Sequence, residues 1–143
     1  MADKNYKYSV GKRKEAVARL RLYTNSLPEV VGEEVKKGDI FVNGKRVENY
    51  FIGSTAKATY EEPFRITNTL GKYTLTVKVE GGGPSGQMDA FIHALSRALS
   101  SLDEKNKAIL KKKGFLTRDA RVRERRKVGM GGKARRKRQS PKR

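Results

Sequence analysis

The run Gly81-Gly82-Gly83-Pro84-Ser85-Gly86 is the first place in this chain where chemistry could reside. Glycine lets backbone N–H groups close on an anion, and a following helix N-terminus adds partial positive charge. The run is neither G-x-x-x-x-G-K-[ST] nor G-x-G-x-x-G. It lacks the lysine that would reach a β- or γ-phosphate, and no nearby acid pair is spaced to hold magnesium. A tight strand-to-helix turn and a nucleic-acid phosphate contact are the two readings left ahead of a nucleotide site. The single histidine, His93, stands beside an apolar helical stripe, near the polar face. A helix-surface role comes first for it and an RNA contact second, because neither a base nor a nucleophile accompanies it.

Cations form the stronger pattern. Lys12-Arg13-Lys14 is a basic turn, with Arg19 and Arg21 on one strand face behind it. That density exceeds what solubility needs and points to phosphate binding. Near the C-terminus, Arg121, Arg123, Arg125, Arg126 and Lys127 form one cluster; Lys133, Arg135, Arg136, Lys137 and Arg138 form a second; Lys142 and Arg143 end the sequence. Gly129, Gly131 and Gly132 lie between the clusters. Against phosphates such a tail neutralises charge and releases counterions.

The elements that must position these groups are legible in the periodicity. Tyr6, Tyr8 and Val10 alternate with Lys7 and Ser9, as in a half-buried strand. Ala16, Ala18, Leu20 and Leu22 share one face of a second strand, which could pair with the first as a hairpin. Residues 24–39 read as a polar surface loop. Ile40-Phe41-Val42 is a short strand ending at Asn43-Gly44, a strong turn signal. Val47 to Ala58 is ambiguous, with short helices around Tyr50 and Phe51 as one reading. Tyr73, Leu75, Val77 and Val79 mark the clearest strand. Met88, Phe91, Ile92, Leu95, Ala98, Leu99 and Leu102 recur at helical spacing. A second helix opens at Asp103 as N-cap and closes at Lys111-Lys112-Lys113 before Gly114. Early strands and late helices predict an α+β fold, with helices on one face of a sheet.

The chain has 143 residues and a formal net charge of +19. Residues 1–110 carry 18 basic and 13 acidic side chains, whereas residues 111–143 carry 16 and 2. Charge of this sign and size points to a polyanionic partner. From Arg118 onward the apolar side chains are only Ala120, Val122, Val128, Met130, Ala134 and Pro141. They cannot bury enough surface to offset the ordering entropy, so a boundary is expected near Leu116. A folded domain over 1–116 and an extended basic tail over 117–143 follow. The absence of Cys excludes a disulfide frame, thiolate catalysis and Cys-based zinc sites. No apolar run approaches the roughly 20 residues a bilayer span needs, and the first residues lack a signal peptide's apolar stretch. No cofactor, metal, membrane or small-molecule substrate is expected, and the expected location is the cytoplasm or an organelle.

Several segments in order resemble one family. Val10-Gly11-Lys12-Arg13-Lys14-Glu15-Ala16-Val17-Ala18-Arg19 looks like the G-x-R-K-x-A-V-A-R opening of the small-subunit ribosomal protein S-nine family. So do Val42-Asn43-Gly44-Lys45, Tyr50-Phe51, Val79-Glu80-Gly81-Gly82-Gly83, Gly86-Gln87 and His93-Ala94-Leu95-Ser96-Arg97-Ala98-Leu99. Gly114-Phe115-Leu116-Thr117-Arg118-Asp119 and the terminal Lys142-Arg143 resemble its bacterial and organellar branch. The loop from Asn25 to Asp39 is longer than that branch's usual turn, and Pro141 separates Ser140 from the last two residues.

The resemblance implies a two-layer α+β domain with a left-handed βαβ crossover, followed by the extended tail. It implies a structural constituent of the small-subunit head, not an enzyme, with ribosomal RNA and neighbouring head proteins as partners. Lys12, Arg13, Lys14, Arg19, Arg118 and the two tail clusters would bind ribosomal RNA. Lys142 and Arg143 would reach the peptidyl-site tRNA. Some small-molecule kinases share the fold, so the fold alone is silent on function. Two rival classes are an architectural DNA-binding protein and a nucleotide-binding enzyme using Gly81–Gly86. The first should carry a base-reading helix or a minor-groove wedge, and neither is present in the pattern.

Overall fold

The computed structural model describes residues 6–30, 32 and 34–128. Strand β1 (Tyr6–Arg13) turns at Lys14-Glu15 into β2 (Ala16–Tyr23), in register from Arg13 opposite Ala16 to Tyr6 opposite Tyr23. The turn is tighter than the sequence suggested: Lys12 and Arg13 stay in the strand, and Lys14 takes φ 50°. Strand β3 (Ile40–Val42) and β4 (Lys45–Arg46) form a second hairpin through Asn43-Gly44, at φ 50° and 79° as a type I′ turn requires. Strand β5 (Thr74–Glu80) joins them, antiparallel to β2 and parallel to β3, in the order β1-β2-β5-β3-β4. No helix or strand interrupts the described residues between Thr24 and Asp39.

Helices α1 (Val47–Tyr50) and α2 (Ala56–Ile66) lie between β4 and β5. Helix α3 (Pro84–Leu102) packs on β1 and β2, and α2 and α4 (Glu104–Lys112) pack on α3. The buried core joins Ala18, Leu20, Leu22, Leu75, Val77 and Val79 of the sheet to Phe91, Leu95 and Leu99 of α3 and to Phe64 and Leu110. The architecture is α+β, one sheet with helices packed on it.

Two expectations about the elements change. The ambiguous stretch resolves into α1, ending at Tyr50, and a longer α2 that runs well past Ala58 to Ile66 with Pro63 inside it. Ala56, Tyr60, Pro63 and Phe64 make its buried face, so tertiary burial outweighs the hydrogen bond that proline cannot make. In β1 the buried face is Ser9 and Gly11, while Tyr8 is 55% exposed. Helix α3 crosses too close for larger residues: a Cβ on Gly11 would collide with the Ala90 carbonyl and the Ala94 amide. Ser9 Oγ donates to the Ala94 carbonyl at 2.7 Å, so its hydroxyl is buried at little cost.

The Asn43 side chain ties the second hairpin to the glycine run. It accepts from the Val79 amide at 2.8 Å and donates to the Val79 carbonyl and to Tyr50 Oη. The Tyr50 hydroxyl donates to Gln87 Oε1, and Gln87 Nε2 donates to the Gly81 carbonyl.

Candidate nucleic-acid interface

The glycine run is built as a turn. Gly81 and Gly82 take φ 74° and 61°, and Gly83 caps α3 with Pro84 just inside it. A Cβ on Gly81 would strike the Glu15 carbonyl, and one on Gly82 would lie 3.1 Å from the Ala16 amide nitrogen. These glycines therefore let the turn lie against the β1–β2 hairpin tip, which is the strand-to-helix reading.

Where the chain leaves the folded body, its path is set by packing and charge. Asp103 caps α4 through the Lys105 amide, and Gly114, at φ 81°, ends the last helical turn. Phe115 and Leu116 then pack against the core. The His93 ring lies beneath this segment, half-buried, with Nδ1 buried and unpaired among the described residues. Burial lowers its pKa, a backbone hydrogen bond at Leu116 opposes that, and the nearby Arg97 and Arg118 charges lower it further. The His93 site is thus a packing position for the root of the tail, deeper than a surface histidine.

One residue further on, Arg13 closes a clamp. Its Nη2 lies 3.0 Å from Asp119 Oδ2, its Nε 3.5 Å from Asp89 Oδ2, and its Nη1 donates to the Arg121 carbonyl at 3.0 Å. The Arg13 side chain is 15% exposed. Asp119 also accepts from the Arg121 amide and takes a two-pronged contact from the Arg121 guanidinium. Those bonds hold the Asp119 carboxyl well below the usual carboxylate range. Arginine's planar fork suits this use, since each edge can meet a different oxygen.

The sequence-predicted site residues therefore divide. Lys12 and Lys14 stand exposed at the hairpin tip, next to Arg13, each of whose three nitrogens meets an internal oxygen. Arg19 lies on the opposite sheet face from α3, 3.4 Å from Glu80. Arg118, Arg123, Arg125, Arg126 and Lys127 are exposed on a segment without helix or strand. Lys133, Arg135, Arg136, Lys137, Arg138, Lys142 and Arg143 lie outside the described residues. Sequence reasoning missed Asp89 and Asp119, the acids that convert a basic turn into a clamp. Asp119 carries a local signal, an Asp two residues before the amide it caps; Asp89 carries none, because only the packing of α3 on β1 brings it near. Among the described residues no three His, Asp or Glu side chains gather as a metal site would require, and no helix is long and apolar enough to cross a membrane.

The profile of the ribosomal protein S9/S16 family matches residues 11–143. The chain belongs to that family. It is similar to the small ribosomal subunit protein uS9 of Maridesulfovibrio salexigens, 44% identical over 130 residues that cover 91% of this chain and 92% of the relative. It is also similar to the small ribosomal subunit protein uS9 of Arthrobacter sp., 43% identical over 123 residues, 85% of this chain and 67% of the relative. Membership makes the chain a ribosomal protein, a structural and RNA-binding component of the translation machinery and not an enzyme. The nucleotide-enzyme alternative falls with it.

Proposed function

We propose that the chain is a structural constituent of the small-subunit head, with its folded domain over 1–116 bound to ribosomal RNA and its tail over 117–143 threaded between RNA helices. The two relatives, both small-subunit proteins, support the location. The observation that carries the mechanism is the clamp. Asp89 and Asp119 are spent on Arg13 and Arg121, whereas Arg123, Arg125, Arg126 and Lys127 pair with no described residue. The body thus aims a strand of free cations instead of neutralising it. Lys12, Lys14, Arg19 and Arg118 contact RNA at the body, and Arg13 acts through the tail it orients. The tail clusters supply phosphate contacts, and recognition is by RNA shape and backbone more than by a base code. The β3-to-β5 connection takes the left-handed path by family resemblance alone; the parallel pairing of those strands across α1 and α2 requires a crossover of either hand.

At the far end, Lys142 and Arg143 contact peptidyl-site tRNA. The test compares small subunits carrying the full chain, Arg143→Lys, Arg143→Ala, or a chain lacking residues 142 and 143. All should co-sediment with small subunits. Release of peptidyl-site tRNA should quicken for the truncation and Arg143→Ala and less for Arg143→Lys, which keeps the charge but loses the fork. Failure of the full chain to co-sediment would overturn the ribosomal placement; unchanged tRNA release would overturn the tRNA contact alone.

A further inference from the structure

The sheet face turned away from α3 carries tyrosines and cations in adjacent rows. Alternation places Tyr8, Arg21, Thr76 and Phe41 in one cross-strand row and Val10, Arg19 and Lys78 in the next. A groove of about 870 Å³ runs over these rows, with Pro28, Glu29 and Val30 along it. Cations outnumber acids there: Arg19, Arg21 and Lys78 stand against Glu29 and Glu80.

The aromatic groups are equally specific. The Tyr6 and Tyr23 rings lie 5.6 Å apart, and the Arg21 guanidinium sits 5.2 Å over the Tyr6 ring. Tyr8, next along β1, is the exposed ring of the set. In the row after Tyr8, two cations share one carboxylate: Glu80 lies 3.4 Å from Arg19 Nη2 and 3.0 Å from Lys78 Nζ. All three side chains are about half exposed or more. Exposed pairs of this kind contribute little, so another anion can displace the carboxylate.

We propose that this face binds an unpaired RNA nucleotide, its base stacked on Tyr8 and its phosphate held by Arg19 and Lys78 in place of Glu80. The inference deepens the RNA-binding reading and rests on it. Sheet tyrosines beside cations are a general means of holding splayed-out bases, since every base offers a π-face. The excess of cations favours RNA over an acid-poor protein surface. A base inside a duplex is already stacked on both faces and cannot lie flat on Tyr8, so the body of an RNA duplex does not satisfy the site.

The test uses the full chain, and it reads Tyr8 itself because the tail binds any polyanion. A short unstructured oligoribonucleotide, a long RNA duplex with few ends at the same nucleotide concentration, and a polyglutamate peptide are titrated while the Tyr8 ring protons are followed by NMR. The oligoribonucleotide should move those signals upfield, as stacking does, and the duplex should not. Tyr8→Ala should weaken oligoribonucleotide binding by about tenfold and Tyr8→Phe should preserve it, since stacking contributes roughly 1–3 kcal/mol per base. Glu80→Gln should strengthen binding. Unmoved Tyr8 signals with the oligoribonucleotide overturn the proposal, and so do shifts produced by polyglutamate alone, which would make the face a protein-docking surface. In both of those cases the full chain should still co-sediment with small subunits; loss of co-sedimentation would instead strike the ribosomal reading.

Discussion

The folded body and the segment after Leu116 both carry many arginines and lysines, and they differ in how many of those cations have an acid to meet. In the body, Arg13, Arg19, Arg65 and Lys78 each meet a carboxylate. Past the clamp, Arg123, Arg125, Arg126 and Lys127 stand exposed on irregular chain. Residues 1–110 carry 13 acids for 18 bases, and residues 111–143 carry 2 for 16. Acids in the body pair with its cations and offset their mutual repulsion. Acids are nearly absent from the tail, so its charge is left for phosphates. The two exceptions in the tail are Glu124 and Asp119, and Asp119 sits where the tail meets the body.

Removing residues 123–143 breaks the comparison most severely. Affinity for small-subunit RNA at low salt should fall by about three decades, and the slope of log K against log salt should flatten by several units. Urea unfolding of the body should be almost unchanged. A preserved slope would place the charge-bearing interface in the body.

The converse experiment is Gly11→Ala. A Cβ there strikes backbone of α3, which cannot move aside as a flexible side chain could. Urea denaturation should show a loss of about 3 kcal/mol, the upper end for overpacking. The salt slope for RNA, measured on the fraction still folded, should stay the same. An unshifted unfolding midpoint would mean that α3 can slide over β1.

Asp119→Ala sharpens the boundary between the two regions. It should leave the urea midpoint nearly where it was, abolish amide protection at Arg121, and weaken RNA binding a few-fold through lost aim. In the native chain the same protection should persist through mild acid. The folded carboxyl lies below its unfolded value, so the clamp's contribution is present above that unfolded value and is lost only as pH falls through the folded one. Protection lost already at pH 5 would contradict the clamp.

The smallest expected effect is at His93. Its folded pKa is lowered, chiefly by burial, so protonation favours the unfolded chain. Stability should be constant above the unfolded value of about 6.5 and decline as pH falls below it. His93→Phe should remove that decline, as measured by unfolding midpoints at pH 7.5 and 5.5. An identical decline in the variant would assign it to other groups.

Much of this was legible along the chain. The face Ala16, Ala18, Leu20 and Leu22 is fully buried as its alternation required, and the Asn43-Gly44 turn and Asp103 cap sit where their residue types demanded. Helix α2 was obscured, although Ala56, Tyr60 and Phe64 keep helical spacing, because the internal Pro63 is a stronger local signal than three apolar residues. Strand β1 misled for the opposite reason. Its apolar residues looked inward by alternation, yet the inward positions belong to Ser9 and Gly11, where small size counts for more than apolarity.

Sequence alone determined the division of charge, the sites of the turns and caps, and the resemblance that the family match bore out. Those properties depend on residue type and near-neighbour spacing, which a chain carries before it folds. Tertiary structure decided that Arg13 meets Asp89, Asp119 and the Arg121 carbonyl, and that Gly81 and Gly82 seat a turn against the hairpin. It also turned Tyr8 out beside Arg21. Each depends on a contact between distant segments: Arg13 with Asp89 and Asp119, Gly81 with Glu15, and β1 with α3. Spacing along a strand shows that two faces exist, but only the helix that packs on one of them decides which face the solvent receives.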